Sequence, residues 1–185
     1  GTGANYPLPI DDVAQVVAAV RSWPEIVDGA VLALGGASAG AALALAGAQR
    51  TPADVDLLLL AYPFVHFPVP ALPATVAAEM TVLPPIMRFA PEGIAQMVQA
   101  YVGRIHSLPA DALPGSARVD AAMPPTRVIV AEYDDLRPSG ELLVEQYQQA
   151  GIDAILVGET LMRRFARNHR DATDDVGMAV EVLGG

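Results

Sequence analysis

Gly36-Ala37-Ser38-Ala39-Gly40 is the stretch that decides how this chain folds. The apolar run Ala30 to Leu34 precedes it, and the alanine-rich stretch Ala41 to Ala48 follows. A G-x-S-x-G between a strand and a helix is the sequence form of a nucleophile elbow, a tight turn that stands a serine hydroxyl at the carboxyl edge of a sheet. Glycines there let the backbone pass close to its neighbours. Ser38 is the candidate nucleophile. The amide of Ala39, at the positive end of the helix, is the candidate oxyanion donor.

Outward from the elbow, strand-like and helix-like segments alternate, which predicts a parallel α/β sheet with flanking helices. A helix is expected from Asp11-Asp12, with Val13, Val16, Val17 and Val20 on one face and Pro24 as its stop. Ala30 to Leu34 reads as a short buried strand. Thr51 to Asp54 reads as a turn, and Val55 to Ala61 as a strand buried on both faces. Prolines then crowd residues 63–114, around helix-like pieces at Ala74 to Leu83 and Glu92 to Val102. This is expected to be a mostly helical cap insertion within one domain spanning 1–185. Its apolar residues Phe64, Phe67, Leu72, Met80, Ile86, Met87, Phe89 and Met97 either line a pocket or pack the cap onto the sheet. Pro125 to Ala131 resumes the sheet, Glu141 to Ala150 reads as a helix closed by Gly151, and Ile152 to Val157 as a last strand. Asp174-Asp175 open a short helix with Val176, Val180 and Leu183 on one face.

The 185 residues are 52% hydrophobic, enough to bury a core. A net charge of −10, with arginine the only basic residue besides histidine, disfavours nucleic acid and anionic membrane surfaces as partners. Cysteine is absent, so disulfides and thiolate metal sites are excluded. No metal-ligand spacing and no phosphate-cradling glycine loop occur, so no cofactor is expected. With no signal-like opening and no long apolar run, a cytoplasmic protein is expected.

Further residues carry a family likeness. The elbow, Tyr62-Pro63 after the next strand, Tyr6-Pro7-Leu8-Pro9-Ile10-Asp11-Asp12, and Glu132-Tyr133-Asp134-Asp135-Leu136-Arg137 followed by Ser139-Gly140-Glu141 resemble the hormone-sensitive-lipase-like branch of the α/β-hydrolase fold. The resemblance implies a serine carboxylesterase acting on small acyl esters, with a Ser-Asp-His triad in that chain order. By position in the Asp-Leu-Arg loop, Asp134 is the implied acid, with the adjacent Asp135 as the alternative.

The chain departs from that pattern in two places. The family's histidine position falls here on Met162 or Arg163, and neither a thioether nor a guanidinium serves as a base near neutral pH. His169 is the substitute candidate, while His66 and His106 lie in the cap. The family's His-Gly-Gly-Gly oxyanion loop and first strands are expected to be missing, which would leave the elbow strand at an open edge. An apolar edge needs covering by another chain, by the N-terminal arm, or by the rest of a longer protein. An oligomer or partner interface, in the first place a homo-oligomer through that edge, is expected. Arg163, Arg164, Arg167 and Arg170 form a basic run, read as a solvated helix face or an anion site. The rival to an esterase is a non-catalytic scaffold of the same fold, truncated or redesigned, that binds an apolar ligand or a partner.

Overall fold

The structure of the protein, a computed structural model, describes residues 5–23 and 30–159. Four parallel strands form one sheet in the order β1-β2-β3-β4: β1 Ala33–Ala37, β2 Leu57–Ala61, β3 Thr126–Ala131 and β4 Ala154–Glu159. The helices are α1 Leu8–Arg21, α2 Ala39–Arg50, α3 Ala74–Glu79, α4 Pro91–Val102 and α5 Arg137–Gln149. Between β2 and β3 lie α3, α4 and three short 3-10 turns, so the expected helical insertion sits there.

Register sorts the side chains into two faces. Leu34 pairs with Leu58, and Gly36 with Leu60, which pairs in turn with Val128. Leu58, Leu60, Val128 and Val130 are buried against Ala41, Ala44, Leu45 and Ala48 of α2 and Leu143, Val144 and Tyr147 of α5. Each large apolar side chain buried here contributes about 1.5–3 kcal/mol, so this layer dominates stability. Alanine and glycine along α2 let it lie close to the sheet. The opposite face is uncovered among the described residues: Leu59, Ile155 and Val157 are 43%, 46% and 43% exposed. β1 and β4 are the two edge strands among the described residues.

Several boundaries differ from the sequence reading, with β2 and β4 each beginning two residues later than expected. The elbow strand is Ala33–Ala37, not Ala30 to Leu34, and takes in Gly35 and Gly36. Glycine is a poor strand former on its own, and parallel pairing with β2 recruits both residues. At the foot of the pair, Asp56 accepts two hydrogen bonds from Arg21 and one from the Leu32 amide. α1 begins at Leu8 and α5 at Arg137, each a few residues before the expected start. Both carry a proline in the first turn, where its fixed φ suits the helix and its missing N–H costs nothing. Gly140 lets α5 press on β3, since a Cβ there would stand 2.7 Å from Val130 Cγ1. Gly151, at φ 80°, follows the C-cap of α5 as expected. The piece expected as one helix over 74–83 divides into α3 and a 3-10 turn at Met80–Val82. The helix expected from Asp174 and the arginine run lie outside the described residues.

Candidate active site

Ser38 stands between β1 and α2 with φ 55° and ψ −120°. That backbone is open to glycine and strained for any residue with a Cβ, a cost of order 1–3 kcal/mol. Its amide donates to the Ala61 carbonyl at 2.9 Å, extending the ladder one residue past β1. Its carbonyl accepts the Ala41 amide at 3.1 Å, the first bond of α2. Ser38 is therefore the last rung of the sheet and the start of the helix at once. Gly36 makes the turn possible: a Cβ there would fall 2.4 Å from the Gly40 carbonyl carbon. As the first residue of α2, Ala39 has an N–H with no acceptor inside the helix.

The acid candidate leaves the same edge of the sheet. Ala37 is level with Ala61, and Ala61 with Ile129, so the elbow and the loop after β3 emerge two strands apart. At ordinary strand spacing that is about 10 Å, a gap for a third side chain to bridge. Asp134 Oδ1 accepts the Leu136 amide at 2.9 Å, and its carbonyl accepts the Arg137 amide at 3.1 Å, a turn that leads into α5. Burial pushes the Asp134 carboxyl above its ordinary range, and the Asp135 charge pushes it the same way, against the pull of the Leu136 amide. Asp135 is occupied otherwise. It takes two hydrogen bonds of 2.9 Å from Arg88 and one from the Phe89 amide at 2.8 Å. Burial raises Asp135, and these partners override it and hold the carboxyl low.

A cavity of about 310 Å³ opens beside Ser38 and Ala39. Its walls are mostly apolar, with Ile10 from α1, Leu43 from α2, Phe64, Phe89 and Met97 from the insertion, and Leu136 from the acid loop. Of the insertion's apolar residues, Phe64, Phe89 and Met97 thus line the pocket, whereas Met80 packs with Leu83 and Tyr133 and Ile86 faces outward. Polar groups collect at Tyr101 and Asp111. Asp111 accepts from Tyr6 at 2.7 Å and from Arg50 at 2.8 Å. Burial raises its carboxyl, and the Arg50 and Tyr6 bonds outweigh that and lower it. The Tyr101 hydroxyl is buried without a hydrogen-bond partner, and its pKa is pushed up to about 12 by burial first and by Asp111 second.

Among the described histidines, neither lines the cavity. His66 is buried, its Nδ1 3.0 Å from Ser139 Oγ and its Nε2 3.3 Å from Gln146 Oε1. Burial lowers its pKa. His106 is exposed in the loop after α4. His169, Met162 and Arg163 lie outside the described residues. Among the described residues no acid and histidine cluster could hold a metal ion, and no helix is long and apolar enough to cross a membrane. Sequence reasoning missed Arg88, Tyr101 and Asp111, whose partners lie far along the chain: Arg88 meets Asp135, and Asp111 meets Tyr6.

Residues 3–162 match the sequence pattern of the alpha/beta hydrolase fold. No curated protein sequence matches the chain. Among solved structures it is similar to carboxyl esterase 2 from the mycorrhizal fungus Tuber melanosporum, with a TM-score of 0.68, 23% identity, and 85% of this chain covering 53% of that one. A hyperthermophilic esterase from the archaeon Pyrobaculum calidifontis gives 0.60, 25%, 91% and 58% in the same terms. An esterase of the bacterial hormone-sensitive lipase family gives 0.63, 25%, 83% and 50%. The chain thus spans about half the length of these structures.

Proposed function

We propose that this chain, which belongs to the alpha/beta hydrolase fold family, is a carboxylic ester hydrolase with Ser38 as its nucleophile. The observation that carries the reading is the strained Ser38 backbone at the wall of a mostly apolar cavity. Strain of this kind persists where the surroundings hold it, and it clusters at working sites. The esterase neighbours support the same class.

In this reading Ser38 Oγ attacks the carbonyl carbon of a small acyl ester seated in the cavity. A base takes the serine proton and passes it to the departing alcohol, and water then cleaves the acyl-serine. The Ala39 amide donates to the oxyanion. Asp134 accepts the N–H of the imidazole and stabilises its cation. His169 is the base we assign, from the segment that follows β4.

A fluorophosphonate probe tests this directly. We expect stoichiometric labelling mapped to Ser38, lost in Ser38→Ala and greatly slowed in His169→Ala. Labelling no faster than in the denatured protein would support the second reading, a non-catalytic scaffold that holds an apolar ligand in the same cavity.

We also propose that copies of the chain associate through β1, one of the two edge strands of the described sheet. Sedimentation at rising concentration should show a self-associating species. A monomer throughout, with β1 amides exchanging freely, rejects it.

A further inference from the structure

One ion pair joins the insertion to the acid loop. Arg88 Nε donates to Asp135 Oδ2 and Nη2 to Oδ1, both at 2.9 Å, while Nη1 donates to the Met80 carbonyl at 3.0 Å. The Phe89 amide adds a fourth bond, to Asp135 Oδ2 at 2.8 Å. The Asp135 side chain is only 13% exposed, so this two-pronged pair differs from a solvated surface bridge. On the other side of Asp134, the buried Tyr133 donates its hydroxyl to Glu79 and packs on Met80 and Leu83. Both neighbours of Asp134 are thus seated on residues 79–89.

We infer that Arg88 is a positioning residue: it fixes Asp135, and through Asp135 it aims Asp134 at the edge where Ser38 stands. This rests on Asp134 being the acid, as proposed above. Phe89 and Leu136 both line the cavity. One gives its amide to Asp135 and the other to Asp134. A substrate that fills the cavity therefore presses on the two residues whose amides hold the acid loop. Arg88 also balances the charge next to Asp134. Arg137, the other cation of the loop, is turned to Glu141 and to the Glu132 carbonyl. Glu79 is engaged by Tyr133. With Arg88 gone, the Asp135 charge bears on Asp134 unopposed and favours its protonated form.

The test compares the parent protein with Arg88→Gln, Arg88→Lys and Arg88→Gln/Asp135→Asn. Ser38 labelling by a fluorophosphonate is followed against pH, and amide hydrogen exchange is followed at Phe89 and Leu136. Arg88→Gln should label Ser38 about tenfold more slowly, because small misplacements of catalytic groups are costly. Its acid limb should move to higher pH, and exchange at both amides should rise. Adding Asp135→Asn should return the acid limb without restoring exchange, which a purely structural role would not do. Arg88→Lys keeps the charge without the fork, so exchange should rise while the acid limb stays. It decides the matter if Arg88→Gln fails to fold. Unchanged exchange at Phe89 and Leu136 in the folded variants overturns the inference, as does an acid limb that stays put in Arg88→Gln. If the parent never labels at Ser38, the esterase reading fails, and the exchange arm still decides whether Arg88 holds the loop.

Discussion

A Cβ on Gly36 would stand 2.2 Å from the carbonyl oxygen of Gly40, a separation that folded backbones do not allow. The obstacle is main chain, so no rotamer change relieves it. Gly36→Ala should therefore cost about 3 kcal/mol, the upper end for overpacking. Gly40 itself has open space where a Cβ would go. Gly40→Ala should be neutral or gain up to about 0.5 kcal/mol from helix propensity. Urea midpoints of the two variants check the contrast, and equal losses would mean that the elbow is not this tight.

Ser38→Gly separates strain from chemistry. Glycine accepts the Ser38 backbone without penalty, so stability should rise by about 1 kcal/mol after the entropy cost of glycine. Labelling at position 38 should vanish. Thermal unfolding of Ser38→Gly beside Ser38→Ala measures it, because alanine removes the hydroxyl and keeps the strain. If the glycine variant melts no higher than the alanine one, the backbone is not strained in solution.

Asp134 gives the same trade in electrostatic form. Burial raises its folded pKa above the unfolded value, so the native state holds this proton more tightly. Its contribution is present at acid pH and is lost as pH rises through the folded pKa. At pH 8 the ionised carboxylate is a cost, and Asp134→Asn should stabilise the fold by about 0.5–1 kcal/mol. The gain should fade toward pH 3. Ser38 labelling should fall by about 10⁴ in the same variant if Asp134 orients the base. A loss of stability at pH 8 would contradict the burial argument.

His66 sets a different window. Burial lowers its folded pKa below the unfolded value near 6.5. Below about pH 6.5 the unfolded chain binds a proton that the native state resists, so stability drops there and levels off once the folded pKa is passed. Asp135, Asp111 and Asp56, all held low, lose their contributions only at more acidic pH. His66→Gln should flatten the drop between pH 6.5 and 5 while lowering stability by about 1–2 kcal/mol through altered hydrogen bonds to Ser139 and Gln146. An unchanged slope would place the titration elsewhere.

Signals within a few residues were legible in the sequence. The elbow, the positions of the apolar strands around Leu58 and Val128, and the Gly151 helix stop read correctly because each depends on neighbours along the chain. β2 is not buried on both faces as expected, since Leu59 is 43% exposed. The extent of β1 did not, because Gly35 and Gly36 gain their strand geometry from pairing with β2. Asp11 and Glu141 read as the starts of α1 and α5, which is too late, because a proline in the first turn of each is compatible with helix. Arg88 with Asp135 and Tyr6 with Asp111 have no local mark at all. Their partners are 47 and 105 residues away and meet only once the insertion has closed over the sheet.

The strand order β1-β2-β3-β4 also bears on how the molecule is made. Among the described strands, β2, β3 and β4 each pair with the one synthesised just before it, so this part of the sheet can grow strand by strand as the chain emerges from the ribosome. β1 and β2 are sufficient to form the Ser38 to Ala61 bond, so the elbow can close early. The loop bearing Asp134 must wait for residues 62–125 to be delivered and folded back, a long closure with its own entropic cost. A nascent chain halted before β3 would carry its serine turn already shaped and no acid loop yet to work with it.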